Sequence, residues 1–352
     1  MRKICLLLLL IGLTSGLIAT SGTGPEAANK ISLQLNVDEA TAVLTILDKE
    51  SAKKTISDSD WQRLFSTEPY VRLKKRELGM HLDFTDDDFK KFVLSSELSA
   101  RREDLRNTLD EWQKADLHAS ARRVLTYLPD RATIRAKVYP VIKPGKNSFV
   151  FETQTDPAIF LYLDPAESAA KFENTVAHEL HHIGFSSVEF MMEQRQKDAP
   201  TNAKLAVDWM SPFGEGFAML AAAGGPNTHP HAVSSPEERA RWDHDMANFN
   251  QDLSTLQKFF LDIVNQKLKA KDDIDEKGFS FFGTQGPWYT VGYKMAVIVE
   301  KRYGRATLID CMIDPRQFLT RYNSAAAELN HSQTEQLALW SPALLREIGS
   351  AK

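Results

Sequence analysis

The sequence predicts a predominantly α-helical α+β fold, with a small antiparallel sheet just before a helix that carries three histidines. Over most of the chain, apolar residues recur at spacings of three and four, which is typical of amphipathic helices. Between residues 131 and 163, short runs rich in β-branched and aromatic residues are separated by turn signals, which is typical of strands. With 352 residues, 43% of them hydrophobic and 26% charged, the chain can bury a sizeable core.

The first 21 residues are expected to be a secretory signal that is cleaved. Arg2 and Lys3 precede an apolar run of the length of a signal-peptide core, and small residues surround Ala19 and Ser21. The run is short for a membrane span, which needs about 20 apolar residues, although a membrane anchor is the alternative. A cleaved signal predicts a periplasmic or extracellular protein with no stable membrane span.

The cysteine count and the charge exclude two further features. Cys5 lies inside the apolar run, so cleavage leaves Cys311 alone and no disulfide within the mature chain is possible. Without Arg2 and Lys3, the formal charge falls from -4 to -6. The sequence has no basic cluster with interleaved aromatic residues, so we expect no nucleic acid partner.

Residues 22–30 are small and polar and are expected to form a linker. Residues 31–125 are expected to form an N-terminal helical region, because segments such as VDEATAVLTILDK combine helical spacing with acidic starts. No clear linker separates this region from residues 126–352, which favours one integrated domain over residues 31–352. An inhibitory role for the N-terminal region is the alternative. The charge-rich residues 267–278 are expected to form a solvated loop.

Three runs predict the sheet: RATIRAKVYPVI, SFVFE and AIFLYL, with the turn signal KPGKN between the first two. The last run leads into Asp164-Pro165-Ala166-Glu167. In this segment Asp suits an N-cap, Pro suits the first helical position and Glu suits a capping box. A helix is therefore expected to begin here and to carry TVAHELHHIGF, residues 175–185.

This helix places two histidines on one face. At about 100° per residue, His178 and His182 lie about 40° apart, so their rings can converge on one point. The opposite face is apolar, with Val176, Leu180 and Ile183. Such a helix suits a position between a core and a cleft.

His178-Glu179-Leu180-His181-His182 matches the HExxH pattern. In this pattern two imidazoles bind Zn²⁺ and the glutamate accepts a proton from the activated water. The sequence therefore predicts His178 and His182 as metal ligands and Glu179 as a general base. A chance match within an ordinary helix is the alternative. His181 is expected to support a ligand or to line the cleft.

A catalytic zinc usually has three protein ligands and an open position for water. The HExxHxxGxxH continuation is absent, because position 185 is Phe and position 188 is Val. The candidate third ligand is Glu215, near the start of a second predicted helix, SPFGEGFAMLAAAGGP. A helix-capping carboxylate is the other role open to Glu215. The rival ligands are Asp208, Glu189, Glu193, His229 and His231.

HELHH followed by EGFA resembles the gluzincin class of zinc metallopeptidases, in which a second helix supplies a glutamate as the third ligand. EGFA is similar to the motif of the aminopeptidase branch, but the 32 residues between His182 and Glu215 exceed that branch's usual interval, and no GxMEN-like segment is present. Met219 stands where the thermolysin branch has an acidic residue. The resemblance is therefore to the class. It implies a zincin-like catalytic region over residues 126–352, one zinc per chain, and a peptide or protein substrate.

A second resemblance involves the C-terminal part of the chain. GPWYTVGYKMAVIVEKRYG followed by DPRQFLTRYN is similar to uncharacterised bacterial proteins described as zinc-dependent peptidases. With the earlier segment DWQRLFSTEPYVRLKKREL, this resemblance covers most of the mature chain.

Peptide hydrolysis also needs a donor that stabilises the oxyanion. The resemblance to gluzincins implies a tyrosine or histidine downstream of the third ligand. Tyr289 and Tyr293 lie four residues apart on one helical face, and Gly292 allows close approach of another backbone. Each tyrosine could instead be a core residue with a satisfied hydroxyl. His229 and His231 are weaker candidates.

These features predict a secreted or periplasmic zinc-dependent peptidase that uses activated water and a glutamate base. The alternative is a periplasmic binding or scaffold protein with a structural metal site or none. A structural site would be closed by a fourth protein ligand, such as His181 or His229. A zinc enzyme that acts on another amide or an ester is a third reading.

Overall fold

The computed structural model describes residues 30–332 and 336–349. The predicted signal and residues 22–29 of the predicted linker lie outside these ranges. The described chain is mostly helical and has one small mixed sheet of four strands, so the α+β class is confirmed. Within the same ranges, no helix is both long enough and apolar enough to cross a membrane.

The chain divides into two compact units. Unit 1 comprises the described residues up to Lys114 together with Ile134–Glu167. Unit 2 comprises Ala115–Thr133 and the described residues from Ser168 onward. The expectation of a single integrated domain stays a prediction.

Unit 1 contains the sheet. Its strands are β1 (Ile31–Leu35), β2 (Ile134–Val141), β3 (Phe149–Phe151) and β4 (Ala158–Tyr162). The spatial order is β1-β2-β4-β3. The β1–β2 and β2–β4 pairs are parallel, and only β3–β4 is antiparallel. The prediction of an antiparallel sheet is therefore wrong for two of the three pairs.

The reason lies in β4, which is buried along its whole length. A strand that is apolar on both faces is most stable with a neighbour on each side, so β4 takes an interior position between β2 and β3. The turn KPGKN does connect β2 to β3, but these two strands do not pair because β4 lies between them.

The N-terminal region is not helical throughout, because it begins with β1. The sequence of β1, ISLQL, alternates apolar and polar residues, which is a strand signal that the helical spacing of the following segments obscured. Its parallel pairing with β2 needs a long crossover, which is helical. The helices of unit 1 are α1 (Asp38–Ser51), α2 (Asp58–Phe65), α3 (Glu68–Gly79), α4 (Asp86–Val93), α5 (Ser96–Ala100) and α6 (Arg102–Trp112).

Unit 2 is helical. Its helices are α7 (Leu117–Leu125), α8 (Ala169–Ser186), α9 (Glu189–Gln196), α10 (Lys204–Asp208), α11 (Gly214–Ala223), α12 (Pro236–Ala247), α13 (Phe249–Val264), α14 (Lys271–Ser280), α15 (Pro287–Tyr303), α16 (Arg305–Ile313), α17 (Pro315–Asn330) and α18 (Pro342–Glu347). A short 3-10 turn over Ser211–Phe213 leads into α11. Helix α11 packs against both α8 and α15, and α7 packs against α8.

Helices α8 and α14 differ from the predictions. Helix α8 begins at Ala169, because the side chain of Ser168 caps it by accepting the N–H of Lys171. Asp164 instead accepts the N–H of Ala166 within a turn, which satisfies that backbone locally. The charge-rich stretch predicted as a loop contributes most of α14.

Candidate metal centre

Helix α8 presents the two histidines as the pattern predicts. Val176 and Leu180 are fully buried on its apolar face. The side chains of His178 and His182 are only 14% and 16% exposed. Their rings meet edge to face, with centroids 4.8 Å apart.

Glu215 lies in the first turn of α11, next to the two histidines, and is 8% exposed. Its Oε2 atom lies 3.1 Å from Nε2 of His178 and 3.3 Å from Nε2 of His182. The two Nε2 atoms are 3.1 Å apart. The donor atoms of these three side chains all lie within 4.8 Å of one another. Within the described residues, they form the group of His, Cys, Asp or Glu side chains that could hold a metal ion.

The spacing of the three donor atoms fits a zinc ion. Tetrahedral zinc with bonds of about 2.0 Å places its ligand atoms about 3.3 Å apart, close to the three observed separations. Hydrogen bonds cannot account for all three contacts. Each Nε2 carries at most one hydrogen and the carboxylate carries none when ionised, so one of the three pairs always lacks a shared hydrogen. A cation held by all three lone pairs removes this conflict.

Electrostatics within the donor group favour an ionised carboxylate. Burial would raise the pKa of Glu215, but the charges and hydrogen bonds of His182 and His178 hold it well below its usual value. Burial lowers the pKa of His182, but the charge of Glu215 and its hydrogen bond raise it to about 9. In the absence of metal, a proton on His182 therefore takes the place of a cation beside Glu215. Metal and proton compete for this site.

Glu179 lies beside these ligands. Its Oε2 atom is buried and has no hydrogen-bond partner among the described residues. Burial raises its pKa, the neighbouring His178 and His182 lower it, and Glu215 raises it further, with a net upward shift. A buried carboxylate oxygen without a partner is costly unless a water or a ligand completes it. This orphaned oxygen therefore fits a site that holds water.

The two predicted tyrosines occupy different surroundings. The Tyr289 ring is nearly parallel to the His178 ring, with centroids 6.3 Å apart. Burial, followed by the charges of Glu215 and Glu179, raises the pKa of Tyr289 well above its usual value. Tyr289 therefore keeps its proton next to the candidate ligands and can act as a hydrogen-bond donor.

Tyr293 is one turn further along α15. Its hydroxyl donates to the backbone carbonyl of Thr228 at 3.2 Å, and its ring contacts Trp242 edge to face. Burial raises its pKa to about 12. These contacts are those of a core tyrosine with a satisfied hydroxyl, which is the alternative that the sequence leaves open.

His229 and His231 have hydrogen-bond partners away from the three converging side chains. His229 contacts Asp243 at 2.9 Å, and His231 contacts Ser234 at 2.9 Å. His181 is 1% exposed, and burial, together with the charges of His182 and His178, lowers its pKa well below the usual value. None of the five rival ligands belongs to the group formed by His178, His182 and Glu215.

A contact between two glycines fixes α11 against α15. A Cβ atom at Gly216 would lie 2.0 Å from the backbone nitrogen of Tyr293, and one at Gly292 would lie 2.8 Å from the carbonyl oxygen of Phe213. The two backbones therefore touch, and the predicted close approach at Gly292 is confirmed. Gly216 was not predicted as its counterpart. Glu215 is adjacent to Gly216, and Tyr289 lies three residues before Gly292. The crossing of the two helices therefore fixes the position of Glu215 relative to Tyr289.

Comparison with known proteins identifies one protein family. No curated protein and no solved structure matches the chain. The model of a protein family described as "Putative zinc dependent peptidase (DUF5700)" matches residues 49–331. This range contains the three converging side chains as well as Glu179 and both tyrosines. Because the match covers most of the 352 residues, the chain belongs to this family, as the resemblance in its sequence predicts.

Proposed function

We propose that the protein is a zinc-dependent peptidase in which His178, His182 and Glu215 hold one zinc ion per chain. The observation that carries this proposal is the convergence of their three donor atoms within 3.3 Å, beside the unpartnered oxygen of Glu179. Membership in a family described as zinc-dependent peptidases supports the choice of metal and of reaction. The proposal includes a zincin-like catalytic region built around α8 and α11.

The proposed chemistry assigns one role to each neighbouring residue. Zinc, when bound, lowers the pKa of a coordinated water and polarises a carbonyl group. Glu179 accepts a proton from the attacking water and delivers it to the leaving amine. The upward shift of its pKa by burial suits this return of the proton. The hydroxyl of Tyr289, which stays protonated, donates a hydrogen bond to the developing oxyanion.

An open metal site is favoured over a structural one. Structural zinc sites usually have four protein ligands, whereas the group in the described residues has three. His181 and His229 would be the residues to close the site. His181 lies outside the donor group, and His229 is engaged by Asp243. We therefore infer that these three residues would hold zinc and leave room for a water to bind it.

Secretion to the periplasm or to the exterior is proposed from the signal pattern in residues 1–21. The intact mass of the protein recovered from the expressing cells checks it, since a chain that keeps these residues contradicts cleavage.

The first experiment measures zinc by mass spectrometry in protein purified without metal-affinity resin. We expect about one zinc per chain in wild type and in Glu179→Gln, and almost none in Glu215→Ala, because two imidazoles alone bind the ion weakly. Glu193→Ala, which removes an exposed carboxylate on α9, is the matched control and should keep its zinc. A wild-type protein that stays zinc-free when zinc is offered would favour the binding or scaffold alternative.

The same variants test the reaction on a peptide library. Glu179→Gln should lose nearly all turnover with its zinc in place, because the amide cannot accept the proton. Glu193→Ala should cleave like wild type. If Glu179→Gln still turned over peptides at the wild-type rate, the role of Glu179 as general base would be wrong.

A further inference from the structure

The ligand-bearing face of α8 continues beyond the metal centre. Phe185 follows His178 by seven residues and His182 by three, so it lies on the same side of the helix, about one turn past His182. Phe185 is half-buried. An apolar surface therefore directly extends the face that carries the candidate ligands.

A hollow lies at this end of the face. It measures about 300 Å³, and this volume includes space that is open to solvent. Its walls are almost entirely apolar and include Phe185, Met192, Gly214, Phe217, Met312 and Phe318. Cys311 also contributes, and burial raises the pKa of its thiol to about 12, so it acts as an apolar group rather than as a nucleophile.

Gly214 is the lining residue nearest in sequence to the third candidate ligand, because it immediately precedes Glu215. Its backbone is right-handed helical, with φ -51° and ψ -27°, so no backbone constraint requires glycine. A Cβ atom at this position would meet nothing within 4 Å. Gly216, two residues later, is different, since the backbone of α15 leaves no space there. Packing therefore does not account for Gly214, but its missing side chain keeps the hollow open beside the third ligand.

We propose that this hollow binds an aliphatic side chain of the substrate next to the bond that is cleaved. This inference rests on the proposed peptidase function and names its substrate class. A wall without charged groups disfavours acidic and basic side chains, because their charges would be desolvated without partners. Because only part of the 300 Å³ is enclosed, the hollow favours leucine, valine or methionine over tryptophan. Met192 and Met312 are flexible and can adjust to such a guest.

Gly214→Leu tests this proposal by filling the hollow from within α11. The backbone there accepts any L-residue, so the variant should fold and keep its zinc. We expect the ratio of kcat/KM for a leucine-containing peptide to that for its glycine counterpart to fall by about tenfold or more, which is the effect of losing a hydrophobic subsite. Gly79→Leu is the matched control, because Gly79 is also helical with nothing within 4 Å of its Cβ position. It should leave the ratio unchanged.

A second variant keeps the test informative if Gly214→Leu disturbs Glu215. Met192→Ala widens the hollow from α9, which carries none of the proposed ligands. We expect it to shift the preference from leucine towards phenylalanine. An unchanged preference in both variants, with a higher melting temperature for Gly214→Leu, would mean that the hollow is a packing defect and would overturn the proposal.

A binding measurement separates this proposal from the proposed function. Saturation-transfer NMR with N-acetyl-leucinamide should give a signal with wild type and Gly79→Leu that is lost in Gly214→Leu, whether or not any peptide is cleaved. Equal signals from all three proteins, or none from wild type, would overturn the subsite. A signal that depends on Gly214 in a protein without zinc or turnover would instead leave the subsite standing and reject the peptidase.

Discussion

At the scale of single residues, Tyr289 and Tyr293 differ in the groups that surround them. They lie one turn apart on α15, but Tyr289 stacks beside His178 whereas Tyr293 donates to the carbonyl of Thr228. Helical spacing alone places both on one face, so the sequence could not distinguish them. The difference arises from tertiary packing, because the segment around residue 228 covers Tyr293 and satisfies its hydroxyl.

Substitution of each tyrosine by phenylalanine tests this difference. Tyr289→Phe should keep its zinc and its ring contact but lower kcat by about 10²-fold to 10³-fold, because one oxyanion donor is removed. Tyr293→Phe should mainly cost stability, about 1 kcal/mol for the lost hydrogen bond. Steady-state kinetics and thermal unfolding of both variants provide the check. A larger loss of kcat in Tyr293→Phe than in Tyr289→Phe would reverse the assignment.

The three converging side chains were the most predictable part of the site. His178 and His182 come together through the geometry of one helix, which their spacing fully specifies. The prediction of Glu215 needed more information than helical spacing, because the convergence of two helices depends on packing. Its prediction came from the resemblance of EGFA to a known motif, and the structure brings its carboxylate to the histidines.

At the scale of elements, the position of Glu215 depends on how closely α11 crosses α15. The crossing has no room for side chains at Gly216 or Gly292, so backbone packs directly on backbone. Because Glu215 is adjacent to Gly216, any separation of these helices shifts the carboxylate relative to the histidines on α8. The two glycines therefore act on the metal centre without contributing a donor atom.

Gly216→Ala should separate the helices, because its Cβ would lie 2.0 Å from a backbone nitrogen that cannot rotate away. We expect a loss of stability of about 3 kcal/mol, at the upper end for overpacking, and weaker zinc binding. Thermal unfolding and competition with a chelator of known affinity measure the two effects. Gly214→Ala, in the same helix but with free space, should match wild type or be slightly more stable. Equal zinc affinity in Gly216→Ala and wild type would contradict this role for the crossing.

Elements with local sequence signals were predicted well, whereas elements whose position depends on packing partners were not. Helix α11 lies where its Ser-Pro start and Gly-Gly-Pro end place it, and α15 lies between Pro287 and Gly304. The sheet was mispredicted because strand order depends on which strand is most buried, and a turn signal does not report that. Helix α14 was missed because a charge-rich segment resembles a loop when only two of its residues, Ile274 and Gly278, are buried.

At the scale of the whole molecule, the candidate chemistry is confined to one unit. All three donor side chains, Glu179 and Tyr289 belong to unit 2, as does the hollow beside Gly214. The sheet belongs to unit 1. A ligand that binds only the folded form stabilises the part of the structure that holds it. Zinc should therefore act mainly on α8 and α11.

Hydrogen exchange measured with and without a chelator tests this expectation. Removal of an exchangeable catalytic zinc should speed amide exchange in α8, α11 and the adjoining part of α15, while β2 and β4 of unit 1 keep their protection. The metal-free protein should stay folded, because the buried apolar faces of these helices do not depend on the ion. Added zinc should restore slow exchange. A structural zinc would behave differently, since its binding energy is folding energy and chelation would melt the surrounding helices. Loss of protection throughout unit 2 would therefore favour the scaffold alternative over the peptidase.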